Sequence, residues 1–139
     1  MTTILLCNIV LNRGYLVKQN SEVRIALSIR SQLLKGILDG CVLSVIEKEE
    51  VYGYELSQKL QQLGLKDISE GTIYPVLLRL QKSQWINGKM RPSDTGPNRK
   101  YYSLTDEGKV ALESIRKEWE LLSRPITNIL RGDENDVNN

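Results

Sequence analysis

Between Trp85 and Gly108 the chain reads WINGKMRPSDTGPNRKYYSLTDEG, and here the apolar period changes from about 3.6 to 2. From Trp85 to Arg91, Ile86 and Met90 take one side, while Trp85, Asn87, Lys89 and Arg91 take the other, as in a strand with two unlike faces. PSDTGPN then supplies two prolines and a glycine, a turn-rich loop. The return strand RKYYSLT puts Tyr102 and Leu104 on one face and Arg99, Tyr101 and Ser103 on the other. The segment is therefore a β-hairpin whose polar tip carries Asn98, Arg99 and Lys100. Lys89 and Arg91 stand across the hairpin, and Asp94 is the acid among these cations.

Upstream, three helices are expected. Ser31 to about Glu47 has apolar residues at 33, 34, 37, 38, 41, 42, 45 and 46, a wide helical face with Ser31 as its expected N-cap. A second helix, from about Gly53 to Leu63, aligns Leu56, Leu60 and Leu63 and stops at Gly64. The third, SEGTIYPVLLRLQKS, aligns Ile73, Leu77 and Leu80 behind a cap at Ser69 or Thr72. Either cap keeps Pro75 within about two turns of the helix start, near the N-terminal amides that have no intrahelical acceptor to lose.

Downstream, Thr105 caps a helix with Asp106 and Glu107 in its first turn, favourable at the positive end of the helix dipole. Leu112, Ile115, Trp119, Leu122, Ile126 and Ile129 follow at alternating spacings of three and four, the narrow seam of a helix that pairs with another helix. Pro125 implies a kink near Leu121 or a restart capped by Ser123, and Gly132 ends the helix ahead of an acidic tail.

The chain's 139 residues suffice for one modest core. The net charge of +2 says little, but its distribution says more: residues 1–65 carry +1, residues 66–103 carry +4 and residues 104–139 carry −3. A basic middle beside an acidic end suits an anion-binding face. With no histidine and two unpaired-looking cysteines, Cys7 and Cys41, the parts of a zinc site or a histidine-dependent nucleophile are missing, and neither a metal nor a cofactor is expected. Cys41 reads as a small buried residue in a reducing, cytoplasmic compartment. The apolar run Ile4–Leu11 is too short to span a bilayer and lacks the flanks of a signal peptide, so no membrane partner is expected.

Helix, helix, helix, strand, loop, strand, helix is the order of a winged helix-turn-helix. YGYEL (Tyr52–Leu56), SEGTIYPVLLRL (Ser69–Leu80), GPNRKYYSLTDEG (Gly96–Gly108) and Trp119 closely resemble the PadR-like transcriptional regulators, particularly their small subgroup. The resemblance covers about Ser31 to Leu130. It implies a cytoplasmic repressor that binds palindromic operator DNA as a homodimer, with the last helix pairing between subunits and an aromatic small molecule as effector in some members.

On this reading the fold is mainly α with a small hairpin. Residues 31–105 form the DNA-binding domain, 106–131 the dimerisation helix and 132–139 the tail. Residues 1–30 match nothing in the family, and are either an added arm supporting the dimer or an over-extended start. The third helix would enter the major groove. By position, Ser69, Glu70, Thr72, Tyr74 and Arg79 are candidates for base or phosphate contact, with Glu70 the least suited by its charge. Lys89, Arg91, Asn98, Arg99, Lys100 and Tyr101 would form a basic wing on the backbone or in a minor groove. Leu112, Ile115, Trp119, Leu122 and Ile126 would line the dimer seam or an aromatic ligand's slot. A dimeric winged-helix module that binds protein instead of DNA is the alternative, but the basic wing argues against it. Nothing in the chain assembles an enzyme's acid–base pair or phosphate-cradling loop.

Overall fold

The computed structural model describes the backbone of residues 2–133 and side chains from residue 18 onward. Elements follow in the order α1 (Thr2–Lys48), β1 (Val51–Tyr52), α2 (Gly53–Gln62), α3 (Glu70–Lys82), β2 (Ile86–Ser93), β3 (Gly96–Leu104) and α4 (Asp106–Arg131). By internal contacts the chain divides into residues 1–36 and residues 37–139.

The first unit is helical throughout its described backbone. Ser31 does not cap a helix start. Its hydroxyl donates to the Leu27 carbonyl at 3.0 Å, a bond back along a helix already under way. The sequence signal was ambiguous because a serine hydroxyl can serve either role. Val23, Ile25, Leu27, Ile29 and Leu33 are exposed in this unit. Cys7, the side chains of Ile4–Leu11 and the tail beyond residue 133 lie outside the described residues. Among the described residues no helix is long and apolar enough to cross a membrane.

The second unit holds the core. Leu43 and Val42 of α1, Leu56 and Leu60 of α2, Ile73, Leu77 and Leu80 of α3, and Leu112 of α4 are all at most 2% exposed. The expected apolar face of α3 is thus buried, whereas Leu33 of α1 and Leu63 just after α2, both expected on buried faces, are 72% and 70% exposed. Gly64, at φ +112°, ends α2 by entering the left-handed region where a side chain would be strained. Ser69 caps α3 through its Oγ, which accepts from the Thr72 amide at 3.3 Å. Pro75 lies inside α3 and α3 stays unbroken.

The sheet has three strands, not two, in the order β1-β3-β2. β1 is two residues long, pairing Val51 with Tyr102 and Tyr52 with Tyr101, and is too short to leave a periodic signal. β2 and β3 run antiparallel from Ile86↔Leu104 to Arg91↔Arg99. The expected seven-residue loop is mostly strand, which leaves Asp94 and Thr95 as the turn. The register slips between Arg91 and Ser93, at Pro92, which has no N–H to give the ladder. Ile86 and Tyr102 face the core, whereas Met90 shares their face but overhangs the core and is 57% exposed.

One hydroxyl ties the hairpin to α4. Thr105 Oγ1 accepts from the Gly108 amide at 2.9 Å and donates to the Gln84 carbonyl at 2.6 Å. α4 then runs unbroken through Pro125 to Gly132, which ends it at φ +77°. Ser123 starts no new helix; its carbonyl accepts from Thr127 Oγ1 at 2.7 Å. The seam on α4 divides. Leu112 is buried within the chain's own core, and Ile115 packs on Gly40 of α1, where a Cβ would stand 2.6 Å from the isoleucine methyl. Trp119, Leu122, Ile126 and Ile129 remain exposed.

Candidate nucleic-acid interface

The exposed start of α3 carries the polar groups nearest its N-terminus. Ser69 Oγ and Thr72 Oγ1 lie 3.1 Å apart and share a hydrogen bond, and Tyr74 donates from its phenol to Glu70 Oε1 at 3.0 Å. That bond to a carboxylate holds the Tyr74 phenol above its ordinary pKa. Glu70 therefore spends its charge orienting Tyr74, whose ring is about half exposed. A helix start with unpaired amides and small hydroxyls suits phosphate or base-edge contact.

Arg79 does not join this cluster. It forms an ion pair with Asp39 of α1, with a second contact from Nε to Oδ2 at 3.4 Å. Its guanidinium braces α3 against α1 within the second unit, a contact 40 residues distant in sequence that no local pattern could reveal.

The wing divides into two faces. Paired residues of an antiparallel ladder project to the same side, so Lys89, Arg91, Arg99 and Tyr101 share one face, joined by Tyr52 of β1. Met90 and Lys100 share the other, on the side where Ile86 and Tyr102 meet the core. Lys100 Nζ reaches Gln81 Oε1 of α3 at 3.3 Å and stands 5.9 Å from the Tyr102 ring centroid. Lys100 thus continues the surface of α3, while Arg99, its neighbour in sequence, points the other way. Asn98 is exposed near the tip.

On the first face Arg91 is engaged. It forms an ion pair with Glu50, and its guanidinium carbon lies 4.9 Å above the Tyr101 ring centroid. Arg99 lies 4.5 Å above the Tyr52 ring centroid. Lys89 and Arg99 have no ion pair among the described residues. Tyr52, Glu50 and Asp39 are the residues that sequence reasoning missed. Tyr52 belongs to the quoted YGYEL motif, but its place beside Arg99 depends on a strand pairing invisible in sequence.

Among the described residues, no group of histidine, cysteine or acidic side chains could hold a metal. Cys41, expected to be buried, is only partly so, and that partial burial raises its thiol's pKa.

Comparison with known proteins bears on this geometry. The model of the transcriptional regulator PadR-like family matches residues 42–114. A crystal structure of a PadR-like transcriptional regulator from Bacillus cereus is 50% identical, covers 73% of this chain and 99% of its own, and superposes with a TM-score of 0.65. A PadR family transcriptional regulator from Eggerthella lenta is 30% identical, covering 79% of this chain and 96% of its own, with a TM-score of 0.70. A transcriptional regulator of Mycobacterium tuberculosis is 36% identical over 77 residues, 55% of this chain and 70% of its own. With a capped, polar helix start beside a cationic hairpin, and a family match over more than half its length, the chain belongs to the PadR-like family, DNA-binding transcriptional regulators and not enzymes.

Proposed function

We propose that the protein is a cytoplasmic repressor that binds a palindromic operator as a homodimer, with α3 in the major groove and the wing on the flanking backbone. The observation that carries this reading is the joint surface of α3 and the hairpin. Ser69 caps α3, Thr72 and Tyr74 lie on it, and Lys100 is tied to that helix through Gln81. Lys89 and Arg99 add cations without ion-pair partners among the described residues. Ser69, Thr72 and Tyr74 are the candidates for base edges and nearby phosphates, and the wing cations for phosphates. Occupying a promoter in this way excludes polymerase.

The dimer is supported by what α4 leaves uncovered. Trp119, Leu122, Ile126 and Ile129 are 53%, 51%, 46% and 76% exposed along one stripe. A second open apolar surface lies between α1 and α2, a groove of about 530 Å³ with Cys41, Val45, Leu60 and Leu63 in its lining. A symmetric partner covers such surfaces and sets two copies of α3 on successive turns of DNA. Trp119 residues meeting near the two-fold axis would either seal the interface or flank a slot for a planar aromatic effector. Quenching of tryptophan fluorescence by such compounds, with release of DNA, distinguishes the slot from the seal.

Salt dependence tests the reading. Each neutralised phosphate contributes about −0.9 to the slope of log K against log salt. Lys89, Arg99 and Lys100 from two subunits then give a slope of roughly −5. Binding to a duplex from the gene's own upstream region should show it, and changing Arg99 and Lys100 to alanine together should weaken binding on every sequence and flatten the slope. An unchanged slope removes the wing from the interface. No binding even at low salt favours the protein-interaction alternative.

A further inference from the structure

Arg91 and Arg99 face each other across β2 and β3, yet they are held by different chemistry. Arg91 has a carboxylate, Glu50, and the Tyr101 ring. Arg99 has the face of Tyr52 at 4.5 Å and no ion pair among the described residues. Tyr52 reaches that place because β1 pairs Tyr52 with Tyr101, two residues beyond Arg99, which makes Tyr52 and Arg99 diagonal neighbours on one sheet face. The Tyr52 ring is itself fixed. Tyr101 meets it edge-on at 5.4 Å between centroids, and Tyr54 stacks beside it at 6.4 Å.

We propose that Tyr52 is a positioning residue for DNA binding, holding the Arg99 guanidinium in place as an unneutralised cation for a backbone phosphate. Glu50 meanwhile reserves Arg91 for bracing the wing. The physical difference lies in what each holder does to the charge. A carboxylate orients a guanidinium but cancels its attraction for phosphate, and must be displaced before the arginine can serve. An aromatic face attracts the cation through its quadrupole and leaves the charge intact. A long arginine left loose in solvent loses rotamer freedom when it binds, and stacking on the ring takes that loss before DNA arrives. β1 is too short to contribute much to the sheet; delivering this ring is what it does for the site.

This inference rests on the wing contacting DNA, and one set of measurements separates the two. Fluorescence anisotropy on the upstream duplex, over a salt series, is read for wild type, Arg99→Ala, Tyr52→Leu, Tyr52→Phe and the Tyr52→Leu/Arg99→Ala double variant. Arg99→Ala should weaken binding and reduce the slope by about 0.9 per subunit. Tyr52→Leu should weaken binding by about two- to fivefold per subunit, the size of an exposed cation–π contact, with the slope unchanged because the charge remains. Tyr52→Phe keeps the ring and should bind as wild type. In the Arg99→Ala background, Tyr52→Leu should have no further effect, since a residue acting through Arg99 cannot act without it.

An equal loss from Tyr52→Leu in both backgrounds overturns the inference, as does a Phe variant as weak as Leu. Wild-type affinity and slope in Arg99→Ala would instead sink the wing reading itself. If thermal melting shows Tyr52→Leu to be unfolded, Arg99→Lys carries the test at a half-buried surface site. It keeps the charge but not the planar stack, so the expected result is weaker binding at unchanged slope. Full affinity in that variant overturns the inference.

Discussion

The divided seam on α4 predicts two leucine-zipper-like positions with opposite phenotypes. Leu112 is 1% exposed within one chain, while Trp119, seven residues on and on the same stripe, is 53% exposed. Leu112→Ala opens a cavity in the subunit core and should cost about 2–5 kcal/mol of folding stability. Trp119→Ala should barely affect the isolated subunit and instead weaken association. A tryptophan side chain buries up to about 200 Å², so the exposed half offers about 100 Å² per subunit. Two subunits bury about 200 Å² more, worth roughly 5 kcal/mol at 25 cal/mol per Å² as an upper bound. That corresponds to roughly three and a half orders of magnitude in the dimer dissociation constant. Sedimentation from nanomolar to micromolar protein reads association, and urea unfolding at two protein concentrations reads stability. Trp119→Ala should abolish the concentration dependence of unfolding and weaken operator binding, because two half-sites are no longer held together. Leu112→Ala should lower stability at both concentrations. A Trp119→Ala variant that stays dimeric at nanomolar concentration, with wild-type DNA affinity, refutes the assignment of the exposed stripe to the interface.

Two further perturbations test what holds α4 in place. A Cβ at Gly108 would collide with the Trp85 carbonyl oxygen, which is backbone and cannot rotate away, so Gly108→Ala should destabilise the domain by about 1–3 kcal/mol or more in thermal melting. Arg116 bonds Glu47 of α1 at 2.7 Å and holds that carboxyl below its ordinary pKa. A depressed carboxylate stabilises the fold above its unfolded-state pKa, and the effect fades as pH falls through the folded value. The stability gap between wild type and Arg116→Gln should therefore be constant at neutral pH and close below about pH 4.5; a gap that persists there contradicts the pairing.

Local chemistry made much of the fold legible. Ser69 and Thr105 cap helices because short hydroxyls satisfy first-turn amides, and Gly64 and Gly132 end helices because they tolerate positive φ. These signals lie within four residues of what they determine. β1 was missed for the opposite reason. Two residues have no period, and Val51–Tyr52 is a strand only because β3, some fifty residues later, offers an edge. Ser31 misled because its hydroxyl bonds backwards, and nothing local distinguishes that from a cap.

The same division explains the site. Alternation along RKYYSLT already separated Arg99 from its neighbours by face, so the split of Arg99 from Lys100 was readable in sequence. Which cations remain available was not. Arg79 and Arg91 find Asp39 and Glu50, partners 40 and 41 residues away, and each pairing sets a carboxylate beside an arginine that a count of charges within the segment leaves unpaired. A basic segment's net charge is therefore a poor guide to which of its cations lie open to a phosphate. The +4 of residues 66–103 counts acids within the segment but not the two that reach in from α1 and the loop after it. On the hairpin itself, what survives the pairing is a smaller set, Lys89, Arg99 and Lys100, spread over both of its faces. A wing with cations on both faces can touch phosphates on either side of a narrow groove, whereas the same charges on one face would bind a single strand.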